Sequence, residues 1–200
     1  MTVYRGIDVS DLSRFGLRRH PLYMGIAFLV IIEATVSATL IVSYLYLMAN
    51  ADAWPPPGVE PPGLLWPTVN MVLLLCSAVT MWWAGWGIDR HNQRVLTLGI
   101  GASTLLATVV LVFRTMQLGE FGIGWQDHAY GSIVWTITGF HFVHVASAVG
   151  GTAVVTFLAW RGHFTAVRQL GVVVDTLYWY FVAAAWVPFY VVLYWVPRFI

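Results

Sequence analysis

Apolar residues along this chain gather into five long runs: about Tyr23 to Ala49, Trp66 to Ile88, Val95 to Gln117, Ala129 to Trp160 and Gly171 to Pro197. Each is near or above the ~20 residues a helix needs to cross ~30 Å of hydrocarbon. Spanning β-strands would instead show alternating segments of about 10 residues, and the sequence has none. The pattern predicts an all-α, polytopic membrane protein, a five-transmembrane-helix bundle forming one membrane domain over residues 1–200. Ala49-Asn50-Ala51 looks like a signal-peptidase site. The run before it is roughly twice the ~7 to 15 apolar residues of a secretory signal and contains Glu33, so it reads as an uncleaved first span.

Composition agrees and narrows the chemistry. Of the 200 residues 59% are hydrophobic and 10% charged, where soluble domains carry roughly a quarter charged residues. All 10 basic residues are arginine, which excludes a P-loop lysine and a lysine Schiff base. A net charge of +1 leaves no concentrated basic face for nucleic acid. The single cysteine, Cys76, lies within an apolar run; it excludes an internal disulfide and a CxxC site and reads as a small buried hydrophobe.

Arginine also sets the orientation, because positive loops stay in the cytoplasm. With the N-terminus cytoplasmic and the C-terminus periplasmic, Arg5, Arg14, Arg18, Arg19, Arg90, Arg94, Arg161 and Arg168 lie inside. Only Arg114 and Arg198 fall at outer helix ends, where Arg114 is expected to snorkel outward. Tryptophans and tyrosines near span ends, among them Trp54, Trp66, Trp125, Tyr130, Trp160 and Tyr194, are expected at the two headgroup layers.

The longest connection, about Asn50 to Leu65, contains Trp54-Pro55-Pro56-Pro57 and Pro61-Pro62-Gly63, a stiff extended segment that reads as a rigid cap or docking surface. The short loop Asp89 to Arg94 makes the second and third helices antiparallel neighbours. No inverted repeat and no paired Gly/Pro break inside a helix is visible, which disfavours a small solute or proton transporter.

Ionisable residues within the spans carry whatever chemistry the sequence offers. Glu33 lies about 15 Å into the first span, near mid-membrane, where a lone carboxylate demands protonation or a partner. It reads as a proton-related or cavity-organising group, or as an interhelical hydrogen bond. His141 and His144, three apart on the fourth helix, share one face and so cannot be opposed axial ligands of one haem. A haem-binding electron carrier is thus poorly supported, and both histidines read as a packing and polar network. Ala146, Ser147, Gly150 and Gly151 next to them form small-residue pairs that allow another helix to approach closely. Asp175, four residues into the last helix, follows Arg161 and Arg168, which suit phospholipid phosphates. Ser37, Thr39, Ser77 and Thr80 are expected to bond to their own helices.

Four segments carry a resemblance. Tyr130-Gly131-Ser132 followed by Thr138-Gly139-Phe140-His141-Phe142-Val143-His144-Val145 resembles the YGS and TGFHGxHV segment of subunit III of haem-copper terminal oxidases. Glu33 with Ser43-Tyr44 is similar to that family's helix with a buried glutamate, and Asn70 to Met81 to its NTxxLLxSSxTM helix. Tyr178-Trp179-Tyr180-Phe181-Val182 with Trp186 resembles its final YWHFVDVVW helix. The four occur in the family's order and touch four of five spans.

The resemblance implies a five-helix bacterial form that lacks the first two helices of larger members. It implies an accessory subunit with no catalytic site and no cofactor or metal of its own. Haem and copper would reside in partner chains, catalytic subunit I first among them. The expected setting is the bacterial cytoplasmic membrane, where the complex oxidises cytochrome c, reduces oxygen and translocates protons. The chain would hold phospholipid in a cleft bordered by Glu33 and support stability and proton or oxygen access. Tyr180 and Ala183 stand where the family has His and Asp, which also admits a quinol oxidase or nitric-oxide-reductase-associated branch.

Overall fold

The computed structural model describes residues 20–119 and 122–199; Arg5, Arg14, Arg18 and Arg19 lie outside the described residues. Five helices follow one another: α1 (Pro21–Ala49), α2 (Leu65–Asp89), α3 (Gln93–Gly119), α4 (Ala129–Trp160) and α5 (Leu170–Tyr190). A π turn, Val191–Trp195, and a short 3-10 turn, Val196–Arg198, prolong α5. Pro188 lies in the turn before the π segment and contributes no amide donor, a local cause for the changed hydrogen-bond register. All five segments are long and apolar enough to cross a membrane. The 25 residues of α2 alone span about 38 Å at 1.5 Å per residue.

Histidine and asparagine start three of these helices. His20 Nδ1 accepts from the Leu22 amide at 3.1 Å, with Pro21 opening α1. His128 Nδ1 accepts from the Gly131 amide at 2.8 Å, and Asn92 Oδ1 from Val95 at 3.1 Å. Each satisfies an amide that has no partner inside its own helix.

The α2–α3 hairpin is the tightest pair. A Cβ on Gly99 would stand 2.9 Å from the Ala84 backbone, and one on Gly87 would meet Val95, so glycine at both positions sets the approach of the helices. The close approach expected at Gly150 and Gly151 is absent: no atom of another element comes within 4 Å of a Cβ at Gly150. Those two glycines and Ser147 lie on an exposed face of α4.

Two packed clusters fill the interior. One surrounds Trp186, Phe189, Tyr194, Tyr44 and Ile137 near the long loop, and the other Met81, Leu96, Ile100, Val145 and Trp179 toward the opposite end. Between them Trp179 Nε1 donates to Ser77 Oγ at 3.1 Å, while Ser103 and Thr80 hydroxyls meet at 2.7 Å. Ser37, Thr39, Ser77 and Thr80 also bond to carbonyls of their own helices, as expected.

Helix α1 packs chiefly against α5 and α4 and buries just Ser37 and Tyr44, so most of its apolar surface faces outward. Cys76 is exposed on the flank of α2 rather than buried. An apolar environment on both sides of a spanning helix makes either face acceptable to a thiol.

The proline-rich loop folds back onto the bundle. Trp54 sits edge-on between Tyr44 and Tyr130, with ring centroids 5.2 and 5.0 Å away. Arg198 donates to the Pro62 carbonyl and to that of Tyr194. Tyr130 and Tyr194 are buried within the bundle, whereas Trp66, Trp125 and Trp160 are exposed.

Candidate functional site

The polar residues singled out on α1, α4 and α5 come together along one seam. Glu33, near the middle of α1, places Oε2 3.3 Å from His144 Nε2 on α4. Both side chains are mostly buried, 17% and 14% exposed. His144 Nδ1 lies 2.6 Å from the Phe140 carbonyl. A carbonyl oxygen only accepts, so Nδ1 carries the hydrogen of this bond. Nε2 faces the Glu33 carboxyl, whose Oε2 has no hydrogen-bond partner among the described residues, so the two meet by proximity and charge complementarity.

Two further contacts extend the seam along α4 and α5. Ser147 Oγ donates to the His144 carbonyl at 2.9 Å and lies 3.4 Å from the Tyr178 hydroxyl, which itself interacts with Glu33. Two turns on, Thr152 Oγ1 donates to both oxygens of Asp175, at 2.8 and 3.0 Å. A Cβ on Gly151 would reach within 4.0 Å of Asp175 Oδ1, so the glycine leaves room beside this carboxylate. Thr152 escaped the sequence reading, although the small residues adjoining it pointed to this face of α4.

The two histidines, neighbours on α4, reach different helices. His141 is 3% exposed, lies 4.6 Å from Trp186 and donates from Nε2 to the Val182 carbonyl at 3.1 Å. It joins α4 to α5, while His144 joins α4 to α1. A three-residue step of about 300° leaves them some 60° apart, enough to reach different neighbours.

Arg168 does not join the seam. Its Nη2 donates to His163 Nε2 at 2.7 Å in the exposed α4–α5 loop. Arg114 departs further from expectation: it is 2% exposed, with its guanidinium 3.8 Å over the Trp186 ring. A desolvated cation on an indole face gains about 2 kcal/mol, which favours this packed position inside the bundle. Tyr180 lies on the outer flank of α5 and Ala183 is buried.

Among the described residues no three His, Cys, Asp or Glu side chains gather where they could hold a metal ion. The seam lines up carboxyl, imidazole and hydroxyl groups along α1, α4 and α5.

The chain matches the family described as cytochrome c oxidase subunit III over residues 15–197. A relative named cytochrome c oxidase subunit 3, from Thermostichus vulcanus, is 26% identical over 180 residues, 88% of each chain. Another of that name, from Synechocystis, is 25% identical over 174 residues, 85% of this chain and 73% of its own. One from Lumbricus terrestris reaches 31% over 153 residues, 72% of this chain and 56% of its own. The match takes in all five spanning helices and every residue of the seam, and this chain belongs to the cytochrome c oxidase subunit III family.

Proposed function

We propose that this chain is the non-catalytic subunit III of a bacterial respiratory haem-copper oxidase. It packs against catalytic subunit I in the cytoplasmic membrane, with its N-terminus cytoplasmic and its C-terminus periplasmic. The family match over residues 15–197 carries this reading. The Glu33–His144 pair gives it a mechanism.

In this orientation Arg90, Arg94, Arg161 and Arg168 lie at the cytoplasmic end and Asp175 just inside it. The seam then leads from Asp175 and Thr152 toward Glu33 at mid-membrane. A carboxyl and an imidazole in contact part-way across the bilayer can relay a proton if one enters from one side as another leaves to the other, so that no net charge builds up there. Phospholipid lying against the outward face of α1 and the open glycines of α4 would cover this seam, with its phosphate met by arginines at the helix ends.

Haem and copper belong to the partner chains in this account, and electrons never pass through subunit III. Its contribution is durability: keeping proton supply and oxygen access intact over many turnovers. Oxygen consumption by membranes from a strain lacking this chain tests that role. Initial turnover within about twofold of wild type, followed by faster inactivation during sustained turnover, supports it. An unchanged lifetime at full turnover refutes it.

A further inference from the structure

A second polar site lies away from the seam, at the end of the bundle covered by the proline-rich loop. A cavity of about 770 Å³ opens there between residues 58–67, the end of α3, the start of α4 and the π turn. Gln117, Tyr130 and Tyr194 form its floor and are 7%, 1% and 1% exposed. The Gln117 amide and the Tyr130 hydroxyl have no hydrogen-bond partner among the described residues, and the Tyr194 hydroxyl meets only Arg114. Buried polar groups are nearly always satisfied, so unsatisfied groups from two elements facing one space indicate a ligand or ordered water.

Charge identifies the ligand class. Arg114, one turn below Gln117 on α3, interacts with Tyr194, yet neither of its Nη atoms has a hydrogen-bond partner and no described carboxylate pairs with it. The Trp186 ring beneath it offers attraction to the cation but no acceptor in the plane of its N–H groups. The guanidinium does not itself line the cavity but stands behind Tyr194, and a buried cation with no described carboxylate partner favours negative charge nearby. The floor is rich in donors: two hydroxyls and an amide, with Arg114 polarising Tyr194 from behind. Such a set matches the several acceptor oxygens of a phosphate. The volume exceeds that of a bare ion, and Leu64, Trp66 and Ile123 give the cavity apolar walls. Exposed Glu60 and Asp127 stand at its rim, where they suit a cationic group carried beyond the phosphate.

We propose that this cavity binds a phosphate-bearing ligand, its oxyanion received by Gln117, Tyr130 and Tyr194 above the Arg114 charge. The source is either the headgroup of a lipid or free phosphate. The site does not depend on Glu33 and stands independently of the proton role assigned to the seam.

The test uses the full chain with its copurifying subunits, stripped of lipid in a phosphate-free maltoside detergent and examined by native mass spectrometry. Inorganic phosphate is titrated in one arm and dihexanoyl phosphatidylethanolamine in the other. Saturable binding of one equivalent in either arm is expected, and the arm that saturates identifies the source. Tyr130→Phe with Tyr194→Phe, which keeps shape and the Arg114 charge, weakens that binding at least tenfold, about 1.4 kcal/mol. Should the double variant fail to assemble, Gln117→Leu carries the same expectation. Absence of saturable binding in both arms, or equal binding by an assembled variant, overturns the proposal.

Discussion

Removing either half of the Glu33–His144 contact tests whether the two share one proton. Their atoms lie 3.3 Å apart and the side chains are 17% and 14% exposed, so neither charge is well solvated alone. If the survivor can become neutral, Glu33→Gln leaves His144 as an uncharged imidazole still donating to Phe140, and His144→Gln leaves Glu33 as a carboxylic acid. The loss is then that of one polar contact in a membrane bundle, on average about 0.6 kcal/mol and at most about 1.7. Were the survivor locked in its charged form, stranding it would cost about 3–5 kcal/mol. Reversible unfolding of the full chain in bicelles, measured for both single variants and the double, separates these cases. The expected coupling is about 0.6–1.7 kcal/mol, with neither single variant losing more than about 2 kcal/mol. Additivity within about 0.3 kcal/mol refutes the contact, and a single-variant loss above about 3 kcal/mol refutes the shared proton.

Thr152→Val removes both hydrogen bonds to Asp175 at nearly constant volume and should destabilise the fold by about 1–3 kcal/mol; an added Asp175→Asn should recover part of that loss, as bicelle unfolding will show. Gly99→Leu forces side-chain atoms into the Ala84 backbone and should cost at least about 1–3 kcal/mol, whereas Gly150→Ala should leave unfolding of the isolated chain unchanged. Trp54→Ala deletes two edge-on aromatic contacts worth about 0.5–1.5 kcal/mol each. Limited proteolysis should then cut within residues 50–64 several times faster, and an unchanged cleavage rate would show that Trp54 does not pin the loop.

Helix positions were legible in the sequence because spanning a bilayer demands a minimum apolar length, and polar residues mark where that length ends. The expected run Tyr23 to Ala49 became Pro21–Ala49, and Val95 to Gln117 became Gln93–Gly119. Which face of each helix turns inward was far less legible. Lipid and protein interior are both apolar, so hydrophobicity alone distinguishes them poorly. Cys76 was thus assigned to the interior and lies outside, while Arg114 was assigned to the headgroups and lies against Trp186. Glu33 and His144 were recognisable singly as costly residues, but their meeting depends on α1 crossing α4, which neither local pattern encodes. The small residues at 147, 150 and 151 lie on an exposed face of α4, where Gly151 stands near Asp175 and no helix of this chain packs closely on Gly150.

The most direct measurement of the central claim is affinity purification through a tag on this chain in mild detergent, followed by an absorbance spectrum and a protein inventory of the eluate. A haem-bearing oxidase eluting in fixed stoichiometry with the chain is the predicted result. A chain that elutes alone, with the oxidase intact in the unbound fraction, contradicts the account.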